Sequence, residues 1–574
     1  MNLLKAVCAC GVLIALAGCS DGHTTASVPT PTPTPSVTIS PGSATVALNT
    51  SQAFNATGPN GAPVAVNWNL SAAIGTLQVN GSTATFIAPT SFPSPHSVTV
   101  TATLQSDASK IGASGINIVF PNDNHVQQTV PVKMGTSGGN VTDTNANLCC
   151  SGTLGALITR GGVTFIVSSN HVLAKSDNGT AKTTDIISQP GLVDNNCAPG
   201  ANTVAHFSAA AALKPLNGTN GPAPSNVDAA IAQIVPGTVD TSGSILDLGA
   251  AGAGSIAAAP PSSTLAVPST VLANGEGVAK SGRSTGLTCS TLQAINVTVS
   301  VDYFVACGGA KSFTATFSNQ VIVNGGSFSA AGDSGALVVT SDTARPVGLL
   351  FGGNSTSTSA HPLADVITAF TDASGTPAFV GGADHTVSCD PTAVAPGASQ
   401  GPGGFAAISQ SEQQRAAAAR QKHAARLMQD PVVASVEAGV SEDSRAEGAV
   451  VITLSQTPHT AIPKVLDGVR TRVVSPPGGR MPVLSLADLD QATAVKENHA
   501  DLMTQPGVQG IGVGRSSDNP AEPAIVIYVL AGQAHPPIPA VLDGVRTKVI
   551  EGDRFRAFGW GKETMPATKC TKKK

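Results

Sequence analysis

Gly332-Asp333-Ser334-Gly335-Ala336 places a serine between glycines, after Gly325-Gly326 and ahead of the apolar run Leu337-Val338-Val339. A serine on a tight turn presents its oxygen, and the N–H groups of Gly332 and Ser334 can converge where negative charge develops on an attacked carbonyl. The hydroxyl is inert without a base. Upstream, Val163-Thr164-Phe165-Ile166-Val167-Ser168-Ser169-Asn170-His171 reads as a strand running into a turn, with His171 at its exit. Asp228, in Asn226-Val227-Asp228-Ala229-Ala230-Ile231-Ala232, precedes another apolar strand and could orient the imidazole and stabilise its protonated form. Singly, each of these positions reads as easily as a structural turn or a strand end. Together, His171, Asp228 and Ser334 are the parts of an acyl-transfer centre.

Their order along the chain resembles that of chymotrypsin-like serine peptidases, and so does the sequence around each. Lys280-Ser281-Gly282-Arg283-Ser284-Thr285-Gly286-Leu287-Thr288-Cys289 is similar to a stretch of the bacterial alpha-lytic and streptogrisin branch. The resemblance covers residues 126–388, under half the chain. It implies a two-β-barrel, trypsin-like domain that cleaves peptide bonds of a protein or peptide substrate through an acyl-enzyme, with no cofactor and no metal. It assigns the oxyanion hole to the N–H groups of Gly332 and Ser334. It also makes Lys280 the counter-ion of Asp333, since an unpaired buried carboxylate is costly and an extension upstream of Val126 leaves no freshly cut N-terminus for the purpose. Phe328 stands where trypsins place the carboxylate that binds Lys or Arg, so a basic primary specificity is not expected. Gly352, in the apolar run Val347–Asn354, is expected on the other wall of the pocket, and His361 is read as a surface-loop residue. Ala279 occupies the place of a cysteine that in the alpha-lytic branch bonds the one ten positions later, so Cys289 is expected to pair with Cys307. Cys197, which follows the histidine loop, is expected to pair with Cys149 or Cys150. The form Asn170-His171-Val172-Leu173-Ala174, with the tail units described next, is closer still to a less characterised set of bacterial and plant trypsin-like proteins. In those, similar units precede the protease domain; here they follow it.

The elements that would position these residues are mainly β. Residues 37–120 alternate apolar with polar between Gly, Asn and Pro turns, the pattern of a small β-sandwich. Trp68 in Val66-Asn67-Trp68-Asn69-Leu70, with Val98-Thr99-Val100-Thr101-Ala102, resembles bacterial immunoglobulin-like repeats, and Trp68 is expected to plug the core. Residues 389–406, rich in Pro and Gly, read as a flexible linker. The tail then carries an internal repeat: Ile462-Pro463-Lys464-Val465-Leu466-Asp467-Gly468-Val469-Arg470-Thr471 returns as Ile538-Pro539-Ala540-Val541-Leu542-Asp543-Gly544-Val545-Arg546-Thr547. Two small α+β units, 408–476 and 486–559, are therefore expected. They hold no nucleophile, metal set or phosphate loop, so the tail is expected to modulate the catalytic domain or to act as a binding or spacer module.

At 574 residues the chain needs several domains, and with Gly 61, Pro 40 and charged residues at 11% it is turn-rich and weakly charged. A net charge of -4 with no basic stripe makes nucleic acid an unexpected partner. Lys5 and the apolar run Ala6–Ala15 read as a signal segment too short to span a bilayer. Leu16-Ala17-Gly18-Cys19 resembles a bacterial lipobox, which implies removal of residues 1–18, acylation of Cys19 and a membrane anchor holding an extracytoplasmic chain at the outer membrane or cell surface. Residues 19–36, Thr/Pro-rich, would form a stalk. The compartment is oxidising, so disulfides are permitted, and the absence of any Cys-x-x-Cys spacing gives structural zinc no support. The competing expectation is a surface adhesion or scaffold lipoprotein whose protease-like domain is inactive.

Overall fold

The computed structural model describes residues 37–557 apart from 90–92, 94–96, 120–122, 146–147, 177–179, 215–226, 250, 253–254, 305–306, 308–310, 390–407, 457–460 and 476–480. The signal segment, Cys19, the Thr/Pro-rich stretch, most of the linker and Cys570 lie outside the described residues. The chain is mainly β, arranged in several sheets. No described helix is long and apolar enough to cross a membrane.

Between Thr38 and Val119, strands form two four-stranded sheets. Alternation decides which side chains they share: Val98, Val100 and Ala102 point inward from Ser97–Leu104 and pack with Phe54, Phe86 and Ile118. Trp68 is not the plug of this core. It is half-buried at the margin, because its ring N–H reaches for the Gly81 carbonyl at 3.1 Å.

Two larger sheets follow. The first, eight-stranded, contains β1 (Ala156–Arg160), β2 (Val163–Ser168), β3 (Asn202–Ala210) and β4 (Ala230–Ile234), hydrogen-bonded in the order β3-β4-β2-β1. β2 leads directly into the single-turn helix α1 (Asn170–Leu173). The second sheet begins with β5 (Gly277–Gly282), β6 (Gly286–Phe304), β7 (Lys311–Asn324), β8 (Leu337–Thr340), β9 (Pro346–Gly353) and β10 (Ser357–Pro362). Pairing runs β5-β8-β9-β10-β7-β6, and the β5–β6 hairpin returns β6 to β5, so these strands close on themselves. One hydrophobic cluster spans both sheets, with Leu157, Ile166 and Ile231 against Leu337, Val339 and Leu349. The sheets therefore hold each other in place.

In the tail, α2 (Gln410–Leu427) and α3 (Leu486–Asn498) each start from a serine cap, Ser409 accepting from the Glu412 N–H and Ser485 from the Asp488 N–H. The first repeat forms its own four-stranded sheet. The second supplies β11 (Val508–Arg515), β12 (Pro523–Leu530), β13 (Val545–Gly552) and β14 (Arg556–Ala557), and β11 pairs with β6. Glycines at alternate positions of β11 make this possible, since a Cβ on Gly512 would lie 2.5 Å from Val297. The sequence leaves the second repeat as a unit on a flexible tether. In the structure its Leu489, Ile511 and Ile527 join Val278, Leu292 and Leu350 of the second sheet in one core.

The repeats meet reciprocally. Arg470 donates to the Thr547 carbonyl at 2.6 Å and to Glu447, while Arg546 donates to the Thr471 carbonyl at 2.9 Å and to Glu522. Buried Asp518 accepts from Ser441 and the Glu442 N–H, and buried Asp443 accepts from Ser516 and the Ser517 N–H.

Three disulfides tie the middle of the chain: Cys149–Cys197, Cys150–Cys307 and Cys289–Cys389. The first is one of the two alternatives expected for Cys197. The expected Cys289–Cys307 bond is not formed. Ala279 does lie across the hairpin from Cys289, but Cys307 lies past the far end of the 19-residue strand β6. At roughly 3.3 Å per residue those two cysteines cannot meet.

Candidate active site

His171 owes its place to the exit of β2. Ser168 Oγ donates to the Thr153 carbonyl at 2.6 Å and Ser169 Oγ to the Leu350 carbonyl at 3.0 Å, so the turn is bonded to both sheets. Asn170 then begins α1, its N–H donating to Asp228 Oδ1 at 2.7 Å. One residue on, His171 Nδ1 lies 2.8 Å from Asp228 Oδ2. Its other ring nitrogen, Nε2, is buried and has no hydrogen-bond partner.

Asp228 sits two residues before β4 and is fully buried. A third donor reaches it, the Tyr303 hydroxyl at 2.5 Å. Burial pushes its carboxyl up, but the facing His171, through charge and hydrogen bond, and the Tyr303 bond outweigh this and hold it below its ordinary range. Tyr303, near the end of β6, is stacked on Phe313 with ring centroids 5.3 Å apart. Its own ionisation is pushed well up by burial and by the Asp228 charge. It therefore remains a donor at any ordinary pH.

The Asp228 N–H donates to Nε2 of His361 at 2.9 Å, which places the His361 proton on Nδ1. This corrects the surface-loop reading of His361. It is fully buried on β10 and stacked on Phe351, centroids 4.0 Å apart. Burial lowers its pKa to about 3, the Asp228 charge opposing and His171 assisting. His361 is accordingly a neutral prop beneath Asp228, not a charged group.

Ser334 lies on the turn before β8, between Gly332 and Gly335 with φ of 101° and 91°. A Cβ on Gly335 would collide with Ser168 Oγ and the Thr153 carbonyl, so the close approach of the turn to β2 requires glycine there. Thr153 clamps the turn, its N–H donating to the Ser334 carbonyl and its hydroxyl to the Gly332 carbonyl, each at 2.9 Å. The Ser334 hydroxyl donates to the Phe351 carbonyl at 3.2 Å.

Asp333 is enclosed with Lys280. Its carboxylate accepts from the N–H groups of Ser284 (2.8 Å) and Ala330 (2.9 Å) and from the Thr285 hydroxyl (2.7 Å), and Lys280 Nζ lies 3.6 Å away. Lys280 also donates to Thr285, so the threonine links the two charges. Burial lowers the Lys280 pKa and the Asp333 charge opposes the loss. Arg283 makes a two-pronged bond to Asp194, at 2.6 and 2.7 Å, joining the hairpin to the short 3-10 helix Leu192–Asn195.

Phe328 is buried in the core shared with the second repeat, and Gly352 is covered by β14. Among the described residues no group of three or more His, Cys, Asp or Glu is assembled that could hold a metal ion. Two parts of this arrangement, Tyr303 and His361, carry no motif in the sequence. No protein-family model matches this chain, and no curated protein is similar to it.

Proposed function

We propose that residues 126–388 form a trypsin-like, two-β-barrel serine endopeptidase. On this reading the chain is lipid-anchored and extracytoplasmic, and an immunoglobulin-like module separates the catalytic unit from the anchor. The observation that carries the catalytic reading is His171, in the single turn of helix after β2, tied through Nδ1 to Asp228 with Nε2 buried and unsatisfied, where the Ser334 turn closes on the end of β2. With Nδ1 donating to Asp228, Nε2 carries the lone pair and is the base.

His171 Nε2 takes the Ser334 proton as the oxygen attacks the substrate carbonyl, and Asp228 stabilises the imidazolium that forms. The N–H groups of Gly332 and Ser334 receive the oxyanion. Collapse returns the proton to the leaving amine and leaves an acyl-serine, which water hydrolyses by the same steps in reverse. Lys280 and Asp333 hold the turn and take no proton.

A fluorophosphonate probe tests this. It is expected to modify Ser334 and nothing in Ser334→Ala, and Ser334→Ala or His171→Ala should each lower peptide turnover by about 10⁶. Labelling or hydrolysis that survives Ser334→Ala overturns the assignment. The inactive-scaffold reading draws support from one feature, the burial of His171 and Ser334, and a chain that never labels would favour it.

A further inference from the structure

Past Phe351, strand β9 ends on Gly352 and Gly353, and the last described strand of the chain lies on them. β14 runs antiparallel to β9, with Ala557 opposite Gly352 and Arg556 opposite Gly353. On its other side it meets β6, Arg556 opposite Asp302, and the Asp302 N–H donates to the Phe555 carbonyl at 3.0 Å. Each flanking position adjoins a residue of the site. Asp302 precedes Tyr303, whose hydroxyl is on Asp228, and Gly352 follows Phe351, whose carbonyl accepts from Ser334. The segment thus lies between the two strands that bound the site.

It is held there firmly. Asp553 Oδ1 accepts from the N–H and hydroxyl of Ser355, at 2.8 and 2.5 Å, and its carbonyl accepts from Asn354 and Gln509, each at 3.0 Å. Phe555 is fully buried, edge-on to Tyr528 at 5.5 Å, and shares a cluster with Tyr303 and Phe351. Gly352 is what admits it, because a Cβ there would lie 2.5 Å from the Arg556 carbonyl oxygen. A strand edge with open main-chain groups takes an extended peptide as an added strand, through bonds that depend little on sequence.

We propose that Asp553–Ala557 is a resident occupant of the Gly352–Gly353 edge, keeping an extended peptide away from Ser334 until the segment is displaced. The pairing stands on geometry alone; its effect on catalysis rests on the serine-peptidase reading. The partner it fits is an extended peptide with a small residue opposite Gly352 and an aromatic residue two positions earlier. Because the occupant belongs to the same chain, its effective concentration is of the order of millimolar, and a free peptide competes poorly.

The test uses the full chain beside two variants, Asp553→Ala and Phe555→Ala. A fluorescein-labelled peptide of sequence Gly552–Ala557 should bind both variants in an anisotropy titration and bind the wild type at least tenfold more weakly. Deuterium uptake over residues 346–353 should rise in both variants. Fluorophosphonate labelling of Ser334 should accelerate at least tenfold, and the added peptide should slow it again. Equal peptide binding by all three chains, or unchanged uptake, overturns the proposal. Uptake that rises while Ser334 labels at the wild-type rate overturns the claim of occlusion and leaves the peptidase reading intact. If no chain labels, the peptidase reading fails, and the anisotropy and exchange results decide the occupancy of the Gly352–Gly353 edge by themselves.

Discussion

Tyr303 gives Asp228 a donor that no pattern in Ser300-Val301-Asp302-Tyr303-Phe304 marks. As a positioning residue it has a distinct signature. Tyr303→Phe keeps the ring on Phe313 but removes a bond to a charged acceptor, worth about 1.5–3 kcal/mol. On the serine-peptidase reading we expect kcat to fall about tenfold at unchanged KM; a kcat equal to that of wild type would reduce Tyr303 to packing. The positions of His171, Asp228 and Ser334 were legible because each adjoins an apolar strand or a glycine turn. His361 was not, since Ser357-Thr358-Ser359-Ala360-His361 looks like a polar surface run. All of it is buried, because β10 is covered on both faces and alternation loses its meaning there.

At the scale of elements, the turn before β8 depends on glycine at both ends. Gly335→Ala combines a left-handed backbone with a collision against β2, and is expected to cost about 3 kcal/mol or more. A fall in the urea midpoint of the unit formed by the two large sheets checks this, and a midpoint equal to that of wild type would contradict it. Strands and the nucleophile turn could be read from apolar runs and glycines. The disulfide partners of Cys289 and Cys307 could not, because pairing depended on a strand much longer than the turn signals implied. β6 carries one cysteine toward Cys389 and delivers the other to Cys150.

Across the whole molecule, the repeat was legible as a period, and the use made of its second copy was not. Nothing in Val508-Gln509-Gly510-Ile511-Gly512-Val513-Gly514 states which edge the strand will join. The interface between the copies should respond to pH. Asp518 is raised to about 7 by burial and then by the Asp443 charge, with the Ser441 bond opposing. A carboxyl raised on folding binds more protons folded than unfolded, so its contribution is full below about pH 4 and is lost as pH rises through about 7. Urea unfolding of the repeats should therefore occur at lower urea at pH 8 than at pH 5, with the difference reduced in Asp518→Asn. An equal midpoint at both pH values would count against the buried pair. The pairing of β14 with β6 and β9 also sets an order of events during synthesis. Its residues follow those of the candidate site along the chain, so His171, Asp228, Ser334 and the strands that carry them are synthesised before the segment that lies against β6 and β9. On the serine-peptidase reading the Gly352 edge is uncovered between the synthesis of Ser334 and that of Phe555, and any action of the chain on itself belongs to that interval.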